Sequence, residues 1–143
     1  MRSVSLSVVR TIFVALFFAI FGAGTFSTAQ AFSNPLMREC RLAGGLFDAI
    51  PVGADNIPLC RLGQAVIDAQ SLVSKRDGQT SRAAEFILND RVTSQCSAAG
   101  AGQIVLPGGE VLCAFADGSK LGLEALQSTV GDRLRLKSAL LQL

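Results

Sequence analysis

The chain has no histidine and little excess charge, and these two gaps exclude several classes of function. Without histidine, a metal site of mixed cysteine and histidine ligands is impossible, and acid-base chemistry near neutral pH is left to carboxylates or lysines. The 13 basic residues exceed the 11 acidic ones by two, and Arg2 and Arg10 account for that excess. The remainder is balanced, so we expect no nucleic-acid footprint, which would need clustered Lys and Arg.

The first 31 residues have the pattern of a secretory signal peptide. Residues 11–24 are uncharged and rich in Phe, Ile and Leu, and Ala29 and Ala31 have the small-x-small spacing that signal peptidase recognises. We predict cleavage after Ala31 and a periplasmic or secreted protein with no membrane span after that cleavage. The alternative is an uncleaved anchor, because the uncharged run 11–31 is about as long as a bilayer-spanning helix.

Two segments of the chain repeat one plan. Each has a cysteine, a glycine corner, two short apolar runs, a second cysteine and an apolar segment with helical spacing. This self-similarity predicts an internal duplication. The equivalent positions are Cys40, Gly44, Cys60 and Leu72 in the first segment and Cys96, Gly100, Cys113 and Leu126 in the second.

The four cysteines predict a disulfide framework. None belongs to a Cys-x-x-Cys pair, which disfavours a redox motif or a four-thiolate zinc site. Four cysteines allow three pairings, and their spacing alone does not choose among them. The repeat favours Cys40 with Cys60 and Cys96 with Cys113. In the chain-entropy account each closed loop of about 20 residues contributes roughly 3 kcal/mol.

Local patterns predict the elements of each half. The first half is expected to have short extended runs at residues 46–50 and 57–62 and an amphipathic helix at 62–73. The second is expected to have a hairpin, residues 103–106 and 110–115, closed by a type II turn with Pro107 and Gly108 at its centre. Further helices are predicted at 82–89, with Ser81 as cap, and at 119–127. Asn34-Pro35 is a turn or helix-start signal. The tail from Asp132 fits a strand, because Arg133, Arg135 and Lys137 alternate with Leu134 and Leu136, or a helix, which we favour.

The expected fold is α+β, with two small disulfide-stapled β-hairpin-plus-helix units packed through their helices. The signal peptide precedes both units. The predicted divisions are residues 1–31 for the signal peptide, 32–74 for the first unit, 75–93 for a helical connector, 94–131 for the second unit and 132–143 for a C-terminal tail.

Both segments also resemble a family of small exported bacterial domains of unknown function, number 333 in its series, often labelled haemolysins. The opening pattern Asn-Pro-x4-Cys-x3-Gly-Gly is matched by Asn34, Pro35, Cys40, Gly44 and Gly45. The closing pattern is matched by Cys113, Phe115, Asp117, Gly118, Ser119 and Glu124, with Ala116 in place of the family's proline. The resemblance implies two degenerate copies and supplies no established active residues.

No catalytic residue, metal ligand or cofactor is predicted. Asp117 precedes a glycine and is expected to be a turn residue, although it could share a helix-start region with Glu124. We therefore expect a non-enzymatic binding or structural protein of the bacterial cell envelope, with a protein or envelope ligand as its partner. One alternative is a membrane-active, haemolysin-like protein, suggested by the basic, Leu-rich tail from Arg133. Another is a small hydrolase, which needs two carboxylates in one cleft.

Overall fold

The computed structural model describes residues 34–143. The predicted signal peptide, residues 1–31, lies outside these described residues. No helix within residues 34–143 has the length and apolar character needed to traverse a bilayer.

The described residues form an α+β fold built on one curled, antiparallel sheet. Its six strands are β1 (Leu46–Val52), β2 (Asp55–Leu62), β3 (Ala65–Asp68), β4 (Gly102–Val105), β5 (Val111–Ala114) and β6 (Lys120–Gly122). They lie in the order β1-β2-β3-β6-β5-β4. Each half of the chain therefore supplies three consecutive strands, and β3 and β6 join the halves. That seam is short, with Ile67 and Leu121 as its registered pair.

Helices cover one face of the sheet and enclose the larger core. They are α1 (Pro35–Leu42), α2 (Ala69–Arg76), α3 (Arg82–Leu88), α4 (Leu123–Gln127) and α5 (Asp132–Gln142), with a short 3-10 turn at Ser97–Ala99. Ile67, Leu121 and Phe86 belong to this core. Strand residues with the opposite orientation, such as Leu59 and Leu112, form a second, smaller cluster.

Three helix predictions are confirmed. α1 begins at Pro35, with Asn34 Oδ1 accepting from the Leu36 N–H at 3.0 Å. α3 begins after Ser81, whose hydroxyl accepts from the Ala84 N–H. The C-terminal tail is helical from Asp132. In each case a local signal, either a capping side chain or a helix-compatible apolar spacing, agrees with the tertiary packing.

The predicted helix at 62–73 is wrong in its first half. Residues 65–68 form β3, and helix α2 begins only at Ala69. All four residues of β3 are buried, because it is a central strand packed on both faces. A fully buried strand has a continuous apolar sequence, which periodicity cannot distinguish from a buried helix. The helix predicted at 119–127 is wrong at its start for the same reason, because residues 120–122 form strand β6.

The hairpin turn between β4 and β5 also differs from the prediction. The positive φ falls on Gly109, at 84°, and Gly108 is not among the glycines with positive φ. The Gly109 N–H donates to the Leu106 carbonyl at 2.8 Å. This is the geometry of a type I turn followed by a left-handed glycine, rather than a type II turn.

The expectation of two units packed through their helices is not confirmed. Each half forms three strands rather than a hairpin, and the strands of both halves hydrogen-bond into one sheet. Residues 75–93, predicted to be a helical connector, supply α3 to the main core through Ala83, Phe86 and Ile87.

In each half, a disulfide fastens the middle strand to the segment that precedes the three strands. Cys40 of α1 is bonded to Cys60 of β2, and Cys96 is bonded to Cys113 of β5. This is the pairing that the repeat favours. The four residues are at most 5% exposed.

The glycine pair after Cys40 has a steric explanation. Gly44 has a φ of 78° and ends α1. A Cβ atom added to Gly45 would lie 2.5 Å from the Cys60 Sγ and 3.0 Å from the Cys40 Sγ. Gly45 therefore leaves the space that the disulfide occupies.

We predict that Gly45→Ala lowers the free energy of unfolding by about 1–3 kcal/mol, the usual cost of overpacking a buried site. Gly108→Ala is the control, since no atom lies within 4 Å of its added Cβ. The control should change stability by less than about 0.5 kcal/mol. Urea unfolding of the oxidised proteins measures both, and equal losses would contradict the steric explanation.

Arg133 is a buried cation that ties three helices together. It is 3% exposed. Its guanidinium donates to the carbonyls of Ala125 at 2.8 Å, Phe86 at 3.2 Å and Arg91 at 2.6 Å. Helix C-termini favour positive charge, and Phe86 is in the last turns of α3. The tail from Arg133 is therefore part of the core rather than a free basic segment.

Arg133→Ala should lower the free energy of unfolding by about 3 kcal/mol, because it removes three hydrogen bonds to backbone carbonyls and empties a buried site. Arg135→Ala is the matched control on the same helix. Its partner is Asp132, and its side chain is 63% exposed, so we expect a loss below about 0.5 kcal/mol. Thermal and denaturant unfolding would distinguish the two variants, and a neutral Arg133→Ala would show that its contacts are dispensable.

Candidate functional site

The candidate site is a cleft of about 490 Å³ where the starts of α2 and α3 meet the start of β6. Two carboxylates, one ammonium group and five hydroxyls line it together. They belong to Asp68, Asp117, Lys120, Ser71, Ser74, Thr80, Ser81 and Ser119. The sheet seam brings these residues together from both halves of the chain.

Asp68 ends β3 and caps α2. Its Oδ1 accepts from the Ser71 N–H at 2.9 Å, and its Oδ2 accepts from the Ser71 hydroxyl at 2.6 Å and the Lys120 N–H at 2.8 Å. The residue is 5% exposed. Burial raises the pKa of Asp68, although the hydrogen bonds from Lys120 and Ser71 act in the opposite direction.

Asp117 forms the turn that its Asp-Gly sequence predicts, and it also holds α3. Its Oδ1 accepts from the Ser119 N–H at 3.1 Å and the Ser119 hydroxyl at 2.6 Å, while Oδ2 accepts from the Arg82 N–H at 2.8 Å. Burial acts to raise the pKa of Asp117, but the hydrogen bonds from Arg82 and Ser119 outweigh it and the pKa is lowered. The cleft thus holds two carboxylates with opposite pKa displacements.

Side chains from one distant turn and from the residue before the helix satisfy the first N–H groups of α3. Arg82 donates to Asp117, and Ala83 donates to the Ser119 hydroxyl at 3.1 Å. Ala84 donates to the Ser81 hydroxyl at 3.3 Å. Because the first N–H groups of a helix lack intrahelical partners, this arrangement anchors α3 to the turn between β5 and β6.

A chain of hydroxyls connects the two helix caps. The Ser71 and Ser81 hydroxyl oxygens are 2.7 Å apart, and Ser71 also donates to Asp68. Ser71 is buried, whereas Ser81 is partly accessible at the cleft. Protonation of Asp68 would reverse the direction of these hydrogen bonds without breaking them, since each hydroxyl can donate and accept.

A second cleft, of about 600 Å³, lies around Arg61 and includes Glu124. The Arg61 guanidinium is already engaged by Glu110, with contacts of 2.9 and 2.8 Å, and approaches Asp48 at 3.5 Å. Glu124 lines this second cleft and not the one that contains Asp117. The two acids that were expected to share a helix start therefore line different clefts.

The predicted site residues and the cleft do not coincide. The four cysteines lie in the main core, apart from the cleft lining. Sequence reasoning missed Asp68, Ser71 and Lys120. A signal for Asp68 was present, since Asp-x-x-Ser places a capping acid three residues before a helical N–H. The apolar run before Asp68 has helical spacing, which obscures that signal.

No group of three or more His, Cys, Asp or Glu side chains able to hold a metal ion occurs within residues 34–143. Comparison with models of protein families, with curated proteins and with solved structures finds no match for this chain. The site is therefore interpreted from its own geometry.

The contributions of Asp68 and Asp117 to the free energy of unfolding should change with pH in opposite directions. The folded pKa of Asp68 is raised, so its contribution to stability is largest below its unfolded value and is lost as pH rises through the folded pKa. The folded pKa of Asp117 is lowered, so its contribution is present above the unfolded value and is lost as pH falls through the folded pKa.

Urea unfolding from about pH 2 to pH 7 measures both effects against the variants Asp68→Asn and Asp117→Asn. The free energy of unfolding of the wild type minus that of Asp68→Asn should fall as pH rises above about 4. The same difference for Asp117→Asn should rise as pH increases toward about 4. Parallel curves would contradict the opposite environments assigned to the two acids.

Proposed function

We propose that this chain is an exported, disulfide-stabilised binding protein of the bacterial cell envelope that acts without catalysis. Its ligand surface is the cleft that contains Asp68 and Asp117. Two buried disulfides, typical of proteins of oxidising compartments, support export.

One observation gives the proposal its main support. Every oxygen of Asp68 and Asp117 accepts a hydrogen bond from a backbone N–H of the fold. A general base must instead present its oxygen to substrate or to an activated nucleophile. These carboxylates are engaged in holding α2, α3 and β6 in place, which favours a rigid binding surface over a reaction centre.

The hydrolase alternative retains one specific argument. It required two carboxylates in one cleft, and Asp68 and Asp117 meet that condition with opposite pKa displacements. Pairs of acids displaced in opposite directions are a feature of acid-base catalysis. In such a reaction Asp68 would be the proton donor and Asp117 the ionised partner.

The membrane-active alternative loses much of its basis. It was suggested by the basic, Leu-rich tail, but Arg133, Leu136 and Leu140 of that tail are buried in the core. Exposing them would require α5 to leave the sheet.

We also propose the relationship to domain family number 333, as two degenerate copies. It is supported by physical reasons for the motif residues. Gly45 makes room for a disulfide. Asp117 and Ser119 cap α3, and Gly118 between them has a φ of 85°. In each half a cysteine precedes three strands and a helix, and a second cysteine lies on the middle strand.

To test this proposal, the protein is isolated from the cell envelope and its intact mass is measured. The isolated protein is then assayed for hydrolysis of chromogenic esters, glycosides and peptides. We expect cleavage after Ala31, two disulfides, and no turnover above the buffer rate. Turnover that is lost in Asp68→Asn, with binding to the same substrate retained, would replace the proposal with the hydrolase. Four free thiols in the isolated protein would contradict export to an oxidising compartment.

A further inference from the structure

We propose that the cleft binds a neutral saccharide, an inference that rests on the proposed binding function. The cleft of about 490 Å³ lies within the size range of small-molecule sites, roughly 300–1,000 Å³. It is large enough for a mono- or disaccharide.

The charges of the cleft are already engaged by the protein itself. Asp68 and Asp117 accept hydrogen bonds at both of their oxygens. The Lys120 ammonium donates one of its three N–H groups to the Gly118 carbonyl at 2.8 Å, and its charge also interacts with Asp68. The lining residues thus pair one cation with two carboxylates, which leaves no positive excess for an anion. Carboxylates that already accept hydrogen bonds at both oxygens are weak partners for a cation, so this cleft favours an uncharged ligand.

The rim of the cleft offers neutral groups that both donate and accept hydrogen bonds. Gln70, Gln79 and Thr80 are exposed, and Ser74 is partly exposed. A primary amide has two donors and an acceptor, and a hydroxyl has one donor and two acceptor lone pairs. A sugar hydroxyl also both donates and accepts hydrogen bonds. This mixed set of side chains therefore matches a polyhydroxylated ligand better than a ligand that has only donors or only acceptors.

One wall of the cleft is apolar and disfavours an extended peptide. Pro58 of β2 and the small exposed part of the largely buried Ile57 form this wall. β2 pairs with β3 only from Leu59 to Leu62, so residues 55–58 have no strand partner on the side of the cleft. An added peptide strand would need the backbone N–H groups there, and Pro58 has none. An apolar wall beside polar groups suits the C–H face of a sugar ring.

The test is saturation-transfer NMR on the mature protein with glucose, N-acetylglucosamine and cellobiose as probes. We expect saturation transfer to the ring protons of at least one sugar. Gln79→Ala and Thr80→Ala should each weaken that binding about fivefold, the effect of one lost hydrogen bond. Gln103→Ala, an exposed position on β4, is the matched control and should leave binding unchanged. Circular dichroism confirms that each variant is folded.

The other outcomes separate this inference from the proposed function. If no sugar binds while trilysine or a neutral extended peptide binds, with loss in Gln79→Ala, the saccharide inference is overturned and the binding function stands. If neither the sugars nor the peptides bind at the cleft, both are overturned. Sugar binding that is equally weakened by Gln103→Ala would also overturn the assignment to this cleft.

Discussion

The fold depends on a short seam between β3 and β6, where the two halves of the chain become one sheet. Ile67 and Leu121 are its registered pair, and the Lys120 N–H extends it by donating to Asp68. Gly122 permits the close approach, since a Cβ atom there would lie 3.1 Å from the Val66 Cβ. A half of this size, roughly 40–50 residues, buries only a small fraction of its surface and is marginal alone. Each half therefore completes its core across this seam.

The candidate cleft follows from the seam. Asp68 belongs to the first half and Lys120 to the second, and their hydrogen bond places α2 beside the turn that caps α3. The disulfides act one strand further out, on β2 and β5, which flank the seam on either side. A buried carboxylate is tolerated here because its hydrogen bonds offset the cost of desolvation. The result is a polar surface on rigid supports, which is a property of preorganised binding sites.

Sequence patterns predicted features that depend on nearby residues, including the helix start at Pro35, the cap at Ser81 and, as the favoured of two alternatives, the helical tail. The repeat also favoured the disulfide pairing. The third strand of each half was missed, because a buried central strand such as β3 has no alternating pattern. The cleft was missed for a related reason: its two acids are 49 positions apart in the sequence, and only the seam brings them to one cleft.

Native-state hydrogen exchange measures the central claim most directly, namely that one seam makes both halves a single cooperative unit. We predict that the slowest amides of β2 and β5 exchange with the same opening free energy, equal to the global free energy of unfolding. The opening free energies of both strands should fall together when Gly122→Val weakens the seam. If the amides of β5 instead open at a lower free energy, and β2 is unaffected by Gly122→Val, the halves are independent and the account is wrong.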